Sequence, residues 1–163
     1  MSNSSAKNVA FLKNKANMKE LNVSHTQVSS IAELQPSVDL EKLDISWTNV
    51  DDISVLKEMS KLKKLNLSHS KVVDVAALAG CVSLVDFDCS NTQISSVEGM
   101  ENCEKLTKIN IGQTPLENLR PFYSAKKIKE IIVDENVPQV HLEALKRRSP
   151  LIIKKYLSYL EIH

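Results

Sequence analysis

Few residues in this chain combine types and spacings that chemistry could use. His25 and His69 lie 44 residues apart with Trp47, the only tryptophan, midway between them. Asp44 and Asp88 are also 44 apart, and Cys81 and Cys103 are separated by 22. Histidines can hold a metal or titrate near neutral pH, paired carboxylates can do acid–base work, and neighbouring thiols can form a disulfide. Which of these is open to the chain depends on what the interval of 22 means.

That interval governs nearly the whole sequence. Met18-Lys19-Glu20-Leu21-Asn22-Val23-Ser24-His25-Thr26, Leu40-Glu41-Lys42-Leu43-Asp44-Ile45-Ser46-Trp47-Thr48 and Leu62-Lys63-Lys64-Leu65-Asn66-Leu67-Ser68-His69-Ser70 repeat without slippage, and the series continues through Leu84, Leu106 and Ile128. Each unit reads Leu-x-x-Leu-x-Leu-x-x-Thr-x-Val-x-x-Ile-x-x-Leu, so apolar spacing switches from two to three inside one unit. A short strand followed by a helical or 3-10 turn fits that switch. One unit cannot bury its own leucines, whereas stacked copies bury them against each other. The expected fold is therefore an α/β solenoid, with a curved parallel sheet on its concave face and short helical or 3-10 turns on its convex face.

The ends fit the same scheme. Val9 and Leu12 sit one period before Ile31 and Leu34, so residues 1–17 are expected to form an N-terminal cap, 18–137 the repeats and 138–163 a C-terminal cap within a single domain. Pro138 departs from the cadence. Val140 to Arg148 reads as a longer helix that Ser149-Pro150 ends, Ile153 recovers the period, and Tyr156, Leu157, Tyr159, Leu160 and Ile162 can cover the last rung. Thr26, Thr48, Ser70, Thr92, Thr114 and Asn136 share the position just after each strand, where a small hydroxyl or amide can satisfy backbone groups left open by the turn.

The units resemble leucine-rich repeats, and their length and Ile-x-x-Leu segment resemble the 22-residue subclass found in type-1 phosphatase regulatory subunits and bacterial internalins. The resemblance covers residues 18 to about 148. It implies partner binding on the concave sheet. The ladder residue here is Thr where that family usually has Asn.

Strand alternation sends Leu21 and Val23 inward and their neighbours outward. The outward columns are Glu20, Lys42, Lys64, Asp86, Lys108, Glu130; Asn22, Asp44, Asn66, Asp88, Asn110, Ile132; Ser24, Ser46, Ser68, Ser90, Gly112, Asp134; and His25, Trp47, His69, Asn91, Gln113, Glu135. In the first column Glu20 with Lys42, Lys64 with Asp86 and Lys108 with Glu130 are expected to pair across rungs. All four columns carry seven acidic residues against three lysines, the wrong sign for a nucleic-acid cradle.

The frame also limits the chemistry. His25 and His69 fall two rungs, about 10 Å, apart, too far to share a metal. Asp44 and Asp88 are equally separated and open to solvent, without the desolvation that tunes a catalytic carboxylate. No nucleophile stands with a base, and Gly80, Gly99 and Gly112 are too few for a phosphate cradle. Neither an enzyme activity nor a cofactor is expected. Cys81 and Cys103 stack about 5 Å apart, within disulfide reach, but small fillers in a ladder with Met59 and Ala125 are the simpler reading.

At 163 residues, 42% apolar and 25% charged, the composition suits one domain. Ser2 to Lys7 are polar, and no apolar run approaches the roughly 18 residues of a membrane span, so neither secretion nor a membrane association is expected. Asn22-Val23-Ser24 and Asn66-Leu67-Ser68 match the glycosylation pattern inside strands, where glycans would block the surface; chance matches in an intracellular, cytoplasmic protein explain them better.

The leading functional expectation is a non-enzymatic adaptor that binds a protein on its concave sheet within a larger complex. Trp47 is the candidate anchor, surrounded by His25, His69, Asp44, Asn66, Lys64, Asp88 and Asn91; its alternative is to lie flat over neighbouring strands, covered by loop residues. The family resemblance adds regulation of a type-1 phosphatase as a narrower possibility. A different class, a nucleic-acid or ribonucleoprotein component, would use the basic end. Residues 1–119 carry 12 Lys and Arg against 15 acidic residues, and residues 120–163 carry 9 against 5. Arg120, Lys126, Lys127, Lys129, Lys146, Arg147, Arg148, Lys154 and Lys155 form that end. Tyr156 to His163 could also dock as an apolar segment into an assembly.

Overall fold

Seven short strands pair in strict chain order: β1 Glu20–Asn22, β2 Lys42–Asp44, β3 Lys64–Asn66, β4 Asp86–Asp88, β5 Lys108–Asn110, β6 Glu130–Val133 and β7 Ile152–Lys155. This computed structural model describes residues 9, 10, 17–35 and 37–156. Every pairing is parallel, and Leu21, Leu43, Leu65, Phe87, Ile109, Ile131 and Ile153 lie in register across the sheet. The fold is an open solenoid. Hydrogen bonding between rungs continues past the strands, as Ile45 N–H donates to Asn66 C=O at 2.9 Å and Trp47 N–H to Ser68 C=O at 2.9 Å.

Two capping ladders turn each rung. Directly after the strand, the Thr48 hydroxyl donates to Ile45 C=O at 2.6 Å, and Thr26, Ser70, Thr92 and Thr114 repeat the bond at 2.6–2.7 Å. Asn136 reaches Thr114 C=O instead, through its amide at 2.9 Å. The second ladder was not apparent in the sequence reading. Ser30, Asp52, Asp74, Ser96 and Asn118 each accept from the backbone N–H two residues on, at 2.7–3.3 Å. These caps lead into 3-10 turns at Ala32–Leu34, Ser54–Glu58, Ala76–Gly80, Met100–Asn102 and Arg120–Ser124. A 3-10 turn has about three residues per turn, so side chains at i and i+3 align, as the spacing of Val50, Ile53, Leu56, Met59 and Leu62 requires. All five are at most 2% exposed.

The cysteines are free and buried. Cys103 Sγ lies 3.7 Å from Cys81 C=O and 3.5 Å from Leu78 C=O, while Cys81 Sγ faces Leu56 C=O at 3.5 Å. Burial pushes the Cys81 thiol up to about 12 and the Cys103 thiol up to about 11, and raises Cys89 as well. Cys81 and Cys103 serve as small fillers of the core, in a column with Met59 and Ala125, as the simpler reading had it.

Past the repeats, Pro138 precedes helix α1, Gln139–Lys146, which turns Leu142 and Leu145 into the core. It is a little shorter than the sequence pattern implied, because Arg147 already leaves the helix as its C-cap. The chain then returns to add β7. At the other end Val9 is fully buried. Leu12 and most of the expected N-terminal cap, like Leu157, Tyr159, Leu160 and Ile162, lie outside the described residues. Among the described residues, no helix is long and apolar enough to cross a membrane.

Candidate partner-binding surface

The concave face is a groove of about 660 Å³ bounded by the side chains of β1 to β4. Its first column largely neutralises itself: Lys42 pairs with Glu20 at 2.6 Å, and Lys64 approaches Asp86 at 4.0 Å. Glu130 departs from expectation. It pairs with Lys154 at 2.6 Å and not with Lys108, because β7 adds a lysine on its far side. The Lys154 hydrogen bond holds the Glu130 carboxyl below its ordinary value.

The second and third columns also differ from the sequence reading, and for one reason. Ser24, Ser46, Ser68 and Ser90 are buried, at 4–8% exposure, and do not form an outward column. The residue two before each serine folds over it. Asp44 Oδ1 accepts from Ser46 N–H at 2.9 Å and from its hydroxyl at 2.6 Å, and Asn22, Asn66 and Asp88 make the same double bond. These are local Asx turns, which compete with the strand and end it after three residues. Only the outer atom of each Asn or Asp remains for the groove. Asn110 Nδ2 donates to Asp88 Oδ2 at 3.0 Å, and Asn22 Nδ2 to Asp44 Oδ2 at 3.5 Å.

The fourth column stands at the groove's rim, and its backbone was not foreseen. His25, Trp47, His69, Asn91 and Gln113 all adopt left-handed φ of 54–56°. Such a conformation costs a residue with a bulky Cβ substituent roughly 1–2 kcal/mol, least for Asn. Polar types favoured in this region, His and Asn, were the available signal; Trp47 carries none. The three rings stack. Trp47 lies 3.6 Å from the His69 centroid at 15° and 5.5 Å from that of His25 at 12°, yet remains 51% exposed. Loop residues do not cover it.

Asn91 is differently employed. Its Nδ2 donates to the Tyr156 hydroxyl at 2.5 Å, and the Tyr156 ring rests on Gly112, where a Cβ would fall 2.0 Å from Tyr156 Cδ2. Gly112 is the one glycine in a column of serines, and that break was the readable sign that another side chain sits there. Gln113 N–H and its side chain both donate to the Asp134 carboxylate. The rim is thus aromatic and open at Trp47 and its neighbours, and occupied by the chain itself from Asn91 onward. Among the described residues, no three His, Cys, Asp or Glu side chains group to hold a metal ion.

Burial of the His69 imidazole, with a small contribution from His25, depresses its protonation below the ordinary 6.5, and Asp88 offsets part of that. The unfolded chain then binds a proton more readily than the folded one, so this contribution to stability is present above about pH 6.5 and declines as pH falls toward the folded-state value. We expect the thermal midpoint to drop from about pH 8 to about pH 5, and His69→Asn to flatten part of that drop. Parallel profiles for the two proteins would contradict this.

No protein-family model matches the chain, and no curated protein matches it in sequence. Solved structures do. The Listeria monocytogenes internalin InlC2 superposes with a TM-score of 0.89 at 21% identity, over 96% of this chain and 69% of that one. Internalin InlF of the same organism gives 0.87 at 19% identity, over 97% of this chain and 46% of that one. A leucine-rich repeat protein of Leptospira interrogans gives 0.76 at 16% identity over 85% of this chain. The chain thus spans less than half the length of InlF. With one parallel seven-stranded sheet backed by 3-10 turns, these likenesses establish a leucine-rich-repeat solenoid. At such identities they speak to the fold alone.

Proposed function

We propose that this chain is a non-enzymatic protein-interaction module whose concave sheet and rim hold a protein partner, with Trp47 as the anchor. The observation that carries it is Trp47 itself. A tryptophan held half-exposed in a left-handed backbone conformation, braced by two histidine rings, satisfies neither the core nor the local backbone preference. Strain of this kind persists where the surrounding structure fixes it, and Trp is the residue type most enriched at interface hot spots. His25 and His69 hold the ring, while Asp44, Asn66, Lys64 and Asp88 line the adjoining groove; Asn91, tied to Tyr156, borders it.

Trp47→Asn separates binding from folding. Asn suits φ near 55° and relieves strain of about 1 kcal/mol, which offsets the lost ring stacking of similar size. We expect a thermal midpoint close to wild type, and capture of a protein partner from native lysate weakened by at least about 2 kcal/mol and insensitive to nuclease. Undiminished capture by the folded variant would sink the assignment. Regulation of a type-1 phosphatase is a narrower form of the same reading, and failure to co-purify with such an enzyme would dismiss it. The nucleic-acid alternative is less well supported, because four of the nine basic residues of that end already have partners: Lys146 with Glu143, Lys154 with Glu130, Lys155 with Glu135, and Arg148 stacked 4.7 Å over Tyr123.

A further inference from the structure

The second column of the concave face contains a charge that the fold does not use. In every rung from Asn22 to Asn110 the side-chain Oδ1 caps the turn two residues on, and amide and carboxylate both do so within ordinary hydrogen-bond length. Ser46 N–H and Ser90 N–H reach their aspartates at 2.9 Å; Ser24 N–H reaches Asn22 at 2.9 Å, Ser68 N–H reaches Asn66 at 3.1 Å and Gly112 N–H reaches Asn110 at 3.2 Å. An amide oxygen is enough for the turn. The negative charges at positions 44 and 88 are therefore surplus to the architecture.

They are also uncompensated. The other two carboxylates of the groove, Glu20 and Asp86, face Lys42 and Lys64. Among the described residues, neither Asp44 nor Asp88 has a cation within ion-pairing distance, and each receives only an asparagine amide on its outer oxygen. The groove lining thus carries four carboxylates against two lysines, with one unpaired charge on the rung of Trp47 and the other two rungs further on. A partner that covered this groove without supplying cations would desolvate two unpaired carboxylates, which is strongly unfavourable.

We infer that the groove is built for a basic polypeptide segment, one that places Lys or Arg side chains about 10 Å apart, the distance of two strand spacings, against Asp44 and Asp88. The inference rests on the concave face being the binding surface and adds the chemistry of its occupant. Lys108, left without Glu130, sets a positive limit to the acidic stretch beyond β4.

The test uses labelled oligolysine and oligoglutamate peptides as probes, followed by fluorescence anisotropy on the full chain and on its double variant Asp44→Asn/Asp88→Asn. The variant keeps both turns, because asparagine already makes them at three rungs, and circular dichroism verifies its fold. We expect oligolysine to bind the wild type with an affinity that falls with salt, the double variant to bind at least about tenfold more weakly, and oligoglutamate not to bind. Absence of oligolysine binding, or equal binding by both proteins, overturns the inference. Lysate capture with the same variant separates the two readings. A partner lost with Trp47→Asn but retained by the double variant preserves the concave interface and refutes the basic segment.

Discussion

Replacing Phe87 with alanine is expected to remove about 3–5 kcal/mol of stability and to make unfolding proceed in two parts. Phe87 is fully buried at the centre of β4, in register with Leu65 on one side and Ile109 on the other. It takes the place of the leucines and isoleucines of the other rungs, so truncation there removes more buried volume than at any other position of that column. The loss is a sizeable part of the 5–15 kcal/mol or so that holds a typical domain together. In a solenoid each rung contacts only its neighbours, so a weakened central rung also uncouples the halves on either side. Trp47, the only tryptophan, reports the N-terminal half, while far-ultraviolet circular dichroism reports the whole chain. In wild type the two signals should share one denaturant midpoint. In Phe87→Ala they should separate, and Phe87→Leu, which nearly conserves volume, should restore most of the stability and the coincidence. A loss below about 1 kcal/mol with coincident transitions would show that neighbouring rungs collapse into the gap.

The same register shows why the fold was legible in the sequence and the site was not. A 22-residue cadence carried by Leu21, Leu43, Leu65 and their successors fixes both the pairing partner and the inward face of every strand, because slipping by one residue would turn the whole leucine column to solvent. The hydroxyl ladder followed from that register, since its position must turn inward. Alternation alone then failed one step beyond the strand. Ser46 follows the outward column by parity, but the Asx turn from Asp44 closes over it and buries it. The left-handed turn at Trp47 comes next, and a tryptophan gives no hint of positive φ. Ile153 kept the period and so announced β7, but Lys154 stands in register with Ile132 and reaches Glu130 diagonally, a pairing that reading straight along each column does not give. The rim therefore depends on turn geometry, where side-chain capping outweighs the strand pattern.

The convex side supplies the second large effect, and its sign is opposite to the usual one. Glycine to alanine in a compatible conformation stabilises by about 0.4–1 kcal/mol through the unfolded state. At Gly80 the added Cβ would fall 1.9 Å from Lys57 C=O oxygen and 2.9 Å from its carbon, both backbone atoms that cannot rotate away. Gly80 ends the turn Ala76–Gly80, which packs on Ser54–Glu58 of the preceding rung. Relief requires the two turns to part, which would loosen Leu56 and Leu78 between them. We expect Gly80→Ala to cost about 1–3 kcal/mol despite its entropic gain. The corresponding residue of the next turn, exposed Asn102, meets no such restriction, and Asn102→Ala should stay within about 0.5 kcal/mol of wild type. Chemical unfolding of the two variants side by side decides the matter. Equal stabilities would mean that the convex turns slide freely, whereas a penalty confined to Gly80 would make the spacing of these turns, and with it the curvature of the concave groove, a property set by backbone contact.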